Sequence, residues 1–200
     1  MFRKLVLLGL ITFTLAFAAN YAQLSLAADQ LAKVKFKNQS GAEFALAGTK
    51  HQGELVDGSE KVSFSVSADG KVIEIQSGGK SIGFVSMPNA NEWKIKDATK
   101  RELYELKREA DGHYKLKDGA GIELYKVKSE SYGWKIKDKT DQAIYKVHNE
   151  DGKISLKSAS GAMVAETKAG IPPIALACFG FDALSKPQKA ALAYALSYLQ

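Results

Sequence analysis

Residues 171–200 read IPPIALACFGFDALSKPQKAALAYALSYLQ, and the reading of this stretch decides the fold. From Ala190 to Leu199 the polar groups are Ser197 and the hydroxyls of Tyr194 and Tyr198. A helix that is apolar nearly all round belongs in a large core or a membrane. Ser185 is an N-cap candidate, and Gln188 three residues on completes a capping box. Pro187 falls in the first turn, where its missing N–H does little harm. These signals predict a helix at about 187–199. About 13 residues rising 1.5 Å each span ~20 Å, close to the length of a strand of 5–6 residues. Ala190, Ala191, Ala193 and Ala195 keep that helix thin. Its apolar run is short of the ~20 residues that span a bilayer, and Lys186, Pro187 and Lys189 interrupt the extension. Residues 174–181 fit either a last strand or a helical turn, because short apolar runs do not show their period.

Upstream of this helix the pattern is one of strands. Val34 and Phe36 alternate with Lys33, Lys35 and Lys37; Val62, Phe64 and Val66 alternate with Lys61, Ser63 and Ser65. Ala68-Asp69-Gly70 is a hairpin turn. Residues 47–60 carry Gly48, Gly53 and Gly58 and read as loop with a short strand at Leu55-Val56. Met87-Pro88-Asn89 reads as a strand break. From Trp93 the chain repeats with a period of about 20 residues, the length of one β-hairpin. Trp93-Lys94-Ile95-Lys96-Asp97 recurs as Tyr114-Lys115-Leu116-Lys117-Asp118 and as Trp134-Lys135-Ile136-Lys137-Asp138. The second strands are Leu103-Tyr104-Glu105-Leu106, Leu124-Tyr125-Lys126-Val127 and Ile144-Tyr145-Lys146-Val147, with a weaker fourth copy over residues 153–165.

In the first strand of each unit the aromatic and the aliphatic residue share one face and two lysines the other. That is the signature of a sheet with one side in a core and one in water. In the second strands the alternation slips, as at Leu103/Tyr104. Either a β-bulge keeps the apolar residues inward or the strand is covered on both faces. About thirteen candidate strands precede Gly170, too many for an open sheet without long unpaired edges. The expected fold is therefore mainly β: an antiparallel hairpin meander closing into a barrel of about twelve strands. A barrel wider than about eight strands has a lumen, and the buried hydrophobic C-terminal helix is the expected filler.

At the N-terminus, Arg3 and Lys4 precede an apolar run from Leu5 to Ala19, and small residues recur around Ala18 and Ala27-Ala28. This is the layout of a secretory signal peptide over residues 1–28, with cleavage near Ala27 or Ala28 or at Ala18; an uncleaved membrane anchor is the alternative. Residues 29–200 then form a single β-barrel domain. The net charge of +6 falls to +4 once Arg3 and Lys4 are removed, too little to argue for nucleic acid. Cys178 is the one cysteine, so an internal disulfide is impossible.

The layout resembles the Tubby C-terminal-like fold, in which a barrel of about twelve strands surrounds a hydrophobic C-terminal helix. The Trp-Lys-Ile-Lys-Asp units, the Asp-Gly turns and Phe181-Asp182 leading into an Ala/Leu-rich helix are most similar to its LURP-one-related branch, over roughly residues 31–200. The resemblance implies that barrel. Tubby domains bind phosphoinositides through basic surface residues and scramblases act at membranes, but neither residue set has a counterpart motif in this chain.

No catalytic or metal constellation is expected. His51, His113 and His148 are far apart, and no Gly-rich phosphate loop is present. Asp97, Asp118 and Asp138 end equivalent strands and read as turn residues rather than calcium ligands. Cys178 reads as a buried hydrophobe, and Asp182 is placed to meet Lys186 if its turn is helical. The candidate ligand-binding residues are the lysine rows, Lys94, Lys96, Lys115, Lys117, Lys135 and Lys137, facing anionic lipid or an envelope polymer. The functional expectation is an exported, periplasmic or secreted, non-enzymatic and monomeric barrel module without cofactor, in a ligand-binding, partner-binding or structural role at the cell envelope. An enzyme with a site assembled from distant residues is the alternative.

Overall fold

In the computed structural model, residues 30–38 and 40–199 are described, with side chains from Lys33 onward. The leader read at residues 1–28 lies outside them. The strands are β1 (Gln30–Lys37), β2 (Glu43–Thr49), β3 (Gln52–Asp57), β4 (Glu60–Val66), β5 (Val72–Ser77), β6 (Lys80–Asn89) and β7 (Glu92–Asp97), followed by β8 (Glu102–Arg108), β9 (Tyr114–Asp118), β10 (Glu123–Glu130), β11 (Gly133–Asp138), β12 (Ala143–Glu150), β13 (Lys153–Ser158) and β14 (Met163–Thr167). Each pairs with its sequence neighbours, and β1 closes on β14 with Lys37 opposite Glu166, giving a closed up-and-down barrel.

The inward face is the apolar half of the alternation. Trp93 and Ile95, Tyr114 and Leu116, and Ile136 are buried, while the lysines between them face outward. The slip in the second strands is a β-bulge repeated around the barrel. Ile95 pairs with Tyr104 but Lys96 with Glu102, so Leu103 is the extra residue; Leu124 and Ile144 are extra in the same way. Ile82 and Val164 continue the series. The bulge restores the alternation, so Leu106, Val127 and Val147 return to the core. It does not turn every apolar side chain inward: Ile122 stays 58% exposed.

Fourteen strands rather than about twelve make up this barrel. The difference lies at residues 47–60, read as loop because of their glycines. They form the end of β2 and all of β3, with Gly48 opposite Gly53. The space these glycines leave is filled by Tyr194, whose Cε2 lies 2.5 Å from where a Cβ on Gly53 would sit. Pro88 does not end β6, which runs to Asn89; the register is irregular between Ser86 and Asn89, where a missing N–H is tolerated.

The filler has two parts. The stretch read as strand or helical turn at 174–181 is helical as far as Gly180: α1 (Pro173–Ala177) runs into one 3₁₀ turn, Cys178–Gly180, and α2 (Lys186–Tyr198) follows. Here α1 packs against β11, β12 and β13, α2 packs against β2, β3, β5, β6 and β7, and the two helices pack on each other. Fourteen strands enclose more space than one helix ~10–12 Å across can occupy, and α1 takes up the remainder. Residues Ala190 to Leu196 are fully buried. Gln188 accepts from the Ser185 N–H at 2.9 Å, the reciprocal half of the expected capping box. Phe179 extends from the 3₁₀ turn to the rings of Phe36 and Phe44, with centroids 5.2 and 5.0 Å away, and so fastens the plug to β1 and β2.

Candidate functional site

The lysine rows lie on the outside of β7, β9 and β11, and most are neutralised. Lys94 meets Glu102 at 3.1 Å and Glu92 at 3.3 Å, Lys115 meets Glu123 at 3.0 Å, Lys135 meets Glu130 at 2.7 Å and Lys137 meets Asp141 at 2.7 Å. Hydrogen bonds to these carboxylates hold the Lys94, Lys115 and Lys135 ammoniums above the usual lysine range. Lys96 and Lys117 have no ion pair among the described residues. The wall is thus charged and largely balanced, the inverse of the outward apolar band of a membrane barrel. No helix of the described residues is long and apolar enough to cross a membrane.

Asp97, Asp118 and Asp138 occupy identical turns. Asp118 Oδ1 accepts the N–H groups of Ala120 and Ile122 at 3.0 and 2.9 Å; Asp97 and Asp138 hold the corresponding pairs. The Thr99 and Thr140 hydroxyls, followed by these backbone bonds, keep the Asp97 and Asp138 carboxyls below the usual range. Asn38 builds the same turn between β1 and β2, accepting from Ser40 and Ala42 at 3.0 Å each. These oxygens serve the backbone. His113 meets Asp111 at 2.9 Å, but both sit in one hairpin turn, where Asp111 also accepts the His113 N–H. His148 stacks on Tyr132 with centroids 4.9 Å apart, and His51 lies in the β2–β3 turn, so the histidines are not brought together. The Cys178 thiol is buried, donates to the Ile174 carbonyl at 3.4 Å, and is pushed up by burial.

Asp182 does not meet Lys186, which pairs instead with Asp57 at the end of β3. Asp182 accepts from the Tyr145 hydroxyl at 2.8 Å and lies 3.5 Å from Lys189. Two further repeat tyrosines reach the same linker: Tyr104 donates to the Ala183 carbonyl at 3.0 Å, and Tyr125 accepts the Ala183 N–H at 3.1 Å. The equivalent tyrosines of three consecutive hairpins therefore clamp the segment joining the 3₁₀ turn to α2. Burial, then the bond to Asp182, push the Tyr145 hydroxyl up to about 12. A phenol so held is a fastener rather than a proton donor at neutral pH.

Two concavities lie on the outside of the wall and one at the end of the plug. One of about 450 Å³ straddles the β1–β14 seam and is lined by Lys35, Lys37, Lys153, Glu166, Thr167 and Lys168. A second, of about 170 Å³, lies across β1 from it and shares Lys35. A third, of about 230 Å³, sits beside the end of α2 near Trp93, Arg108 and Leu199. The seam cavity gathers residues from the two ends of the sequence. The lysine alternation of β1 was visible in the chain; its meeting with Lys153 and Lys168 depends on closure.

This geometry defines a class: a closed antiparallel barrel plugged by its own C-terminal helices, with a charged exterior. No protein-family model and no curated protein matches the chain.

Proposed function

We propose that the protein is an exported, non-enzymatic β-barrel module that binds an anionic partner at the cell envelope through its outer surface. The observation that carries this reading is the filled lumen. Small-ligand barrels hold their cargo inside, whereas this lumen is taken by α1 and α2, whose residues Ala190 to Leu196 are fully buried. What remains for a partner is the exterior, where lysine-lined concavities lie. Asp97, Asp118 and Asp138 are committed to turns and Asp182 to the linker clamp, which favours binding over catalysis.

Co-sedimentation of the exported chain with isolated cell envelopes tests the proposal. Binding at low ionic strength that is released by salt is the expected result; no binding at low ionic strength contradicts it. The intact mass of the same preparation reports the leader, and retention of Met1 contradicts export by cleavage.

A further inference from the structure

We infer that the strip along β1 and its seam with β14 is a binding site for a linear polyanion, lying lengthwise along β1. This rests on the reading of an exterior-binding module and names its site and ligand class. Lys33, Lys35 and Lys37 are exposed on one face of β1, while Val34 and Phe36 between them are buried. Successive outward residues on a strand lie about 7 Å apart, so these ammonium groups span about 13 Å in a line. The two flanking cavities share Lys35 and open on either side of this line. Lys153 and Lys168 enter from the β13–β14 side.

The charge balance sets this strip apart. It holds five lysines against Glu43 and Glu166, a net 5 − 2 = +3, whereas the mature chain carries 28 − 2 − 22 = +4 in all. Glu43 pairs with Lys37 and Glu166 with Lys153, each at 3.2 Å. Lys33, Lys35 and Lys168 have no ion pair among the described residues. Four of the six row lysines, by contrast, are each within 3.1 Å of a carboxylate. Thr167 lines the larger cavity and is 4% exposed. Its hydroxyl accepts from the Ala169 N–H at 3.1 Å, which fixes the chain where it leaves β14 at the cavity's edge.

The shape selects the ligand. A single headgroup needs one compact cluster, but these charges run along a strand with cavities on both flanks, as an extended chain requires. Lysines act as point charges without the planar fork of arginine, so carboxylate and phosphate repeats are both accepted. The site recognises charge spacing along a polymer and needs no covalent step.

Titration of the exported chain with oligogalacturonates and short polyphosphates of increasing length tests this. Affinity is expected to rise at least about tenfold from monomer to hexamer and then level off as the ligand outgrows the strip. The double substitution Lys35→Gln/Lys168→Gln, at two exposed positions, is expected to weaken hexamer binding at least about tenfold. It is also expected to reduce the salt slope by about 0.7 per lysine. Lys94→Gln/Lys115→Gln, in the paired rows, is expected to stay within about twofold, and unchanged thermal unfolding shows that both variants are folded. Equal affinity for monomer and hexamer overturns the proposal, as does binding to phosphatidylglycerol vesicles without binding to either oligomer series. If the wild-type chain binds envelopes and Lys35→Gln/Lys168→Gln binds them equally, the strip is wrong and the binding module stands. If the wild-type chain binds neither envelopes nor oligomers, both fall.

Discussion

Gly53 carries more of the fold than its size suggests. A Cβ there meets Cε2 of Tyr194 at 2.5 Å and the Ala47 carbonyl oxygen at 3.0 Å. Opposite it, Gly48 holds φ at +156°. The aromatic ring thus packs on a strand pair emptied to receive it, and the Tyr194 hydroxyl donates to the Thr49 carbonyl. Gly53→Ala is expected to cost about 1–3 kcal/mol by overpacking, measured by denaturant unfolding. Combined with Tyr194→Leu, the loss is expected to be less than the sum of the two single losses, because the two sites share one contact. Strict additivity contradicts the contact. At this scale the sequence was legible where partners are local. Asp97, Asp118 and Asp138 were readable as turn residues because each bonds backbone two and four residues on. Gly53 was misread as loop because the group that completes its face comes from the far end of the chain.

Among elements, the repeated hairpin does two jobs. Its bulge returns the second strand to the core, and its tyrosine reaches the linker before α2. The slip in alternation at Leu103, Leu124 and Ile144 was legible, since period two is broken there in sequence, but a bulge and a strand covered on both faces break it alike. The clamp was not, because nothing local distinguishes a tyrosine that packs from one that bonds to Ala183 or Asp182. Tyr145 gives the clamp a measurable pH dependence. Its hydroxyl loses its proton at about 12 in the folded chain, against an ordinary 10.0. Below pH 10 both folded and unfolded chains hold that proton. Between about 10 and 12 the unfolded chain gives it up first, so stability falls over that window. Tyr194, also raised to about 12 by burial, contributes to the same loss. Tyr145→Phe is expected to cost about 0.5–1.5 kcal/mol at neutral pH and to flatten part of the alkaline decline. A variant as stable as the parent at neutral pH, with an unchanged alkaline profile, contradicts the clamp.

Over the whole molecule, the layout was legible and its dimensions were not. Alternating strands, a 20-residue hairpin period and one greasy helix imply a closed barrel with a filler, because open edges and an unburied apolar helix are both costly. The count of fourteen and the second filling segment were hidden for two reasons. Residues 47–60 lack side chains that α2 supplies, and residues 174–181 are too short to show a period. The basic strip was half visible: Lys33, Lys35 and Lys37 alternate in the sequence, but Lys153 and Lys168 join them only through the β1–β14 closure. Whether the C-terminal helices fill the barrel is decided by native-state hydrogen exchange of the α2 amides from Ala190 to Leu196. Buried within a closed wall, they are expected to exchange through global unfolding alone, at the same free energy as the amides of β6 to β9. Exchange of α2 by local opening, at a free energy well below that of the strands, would contradict a helix enclosed by the barrel.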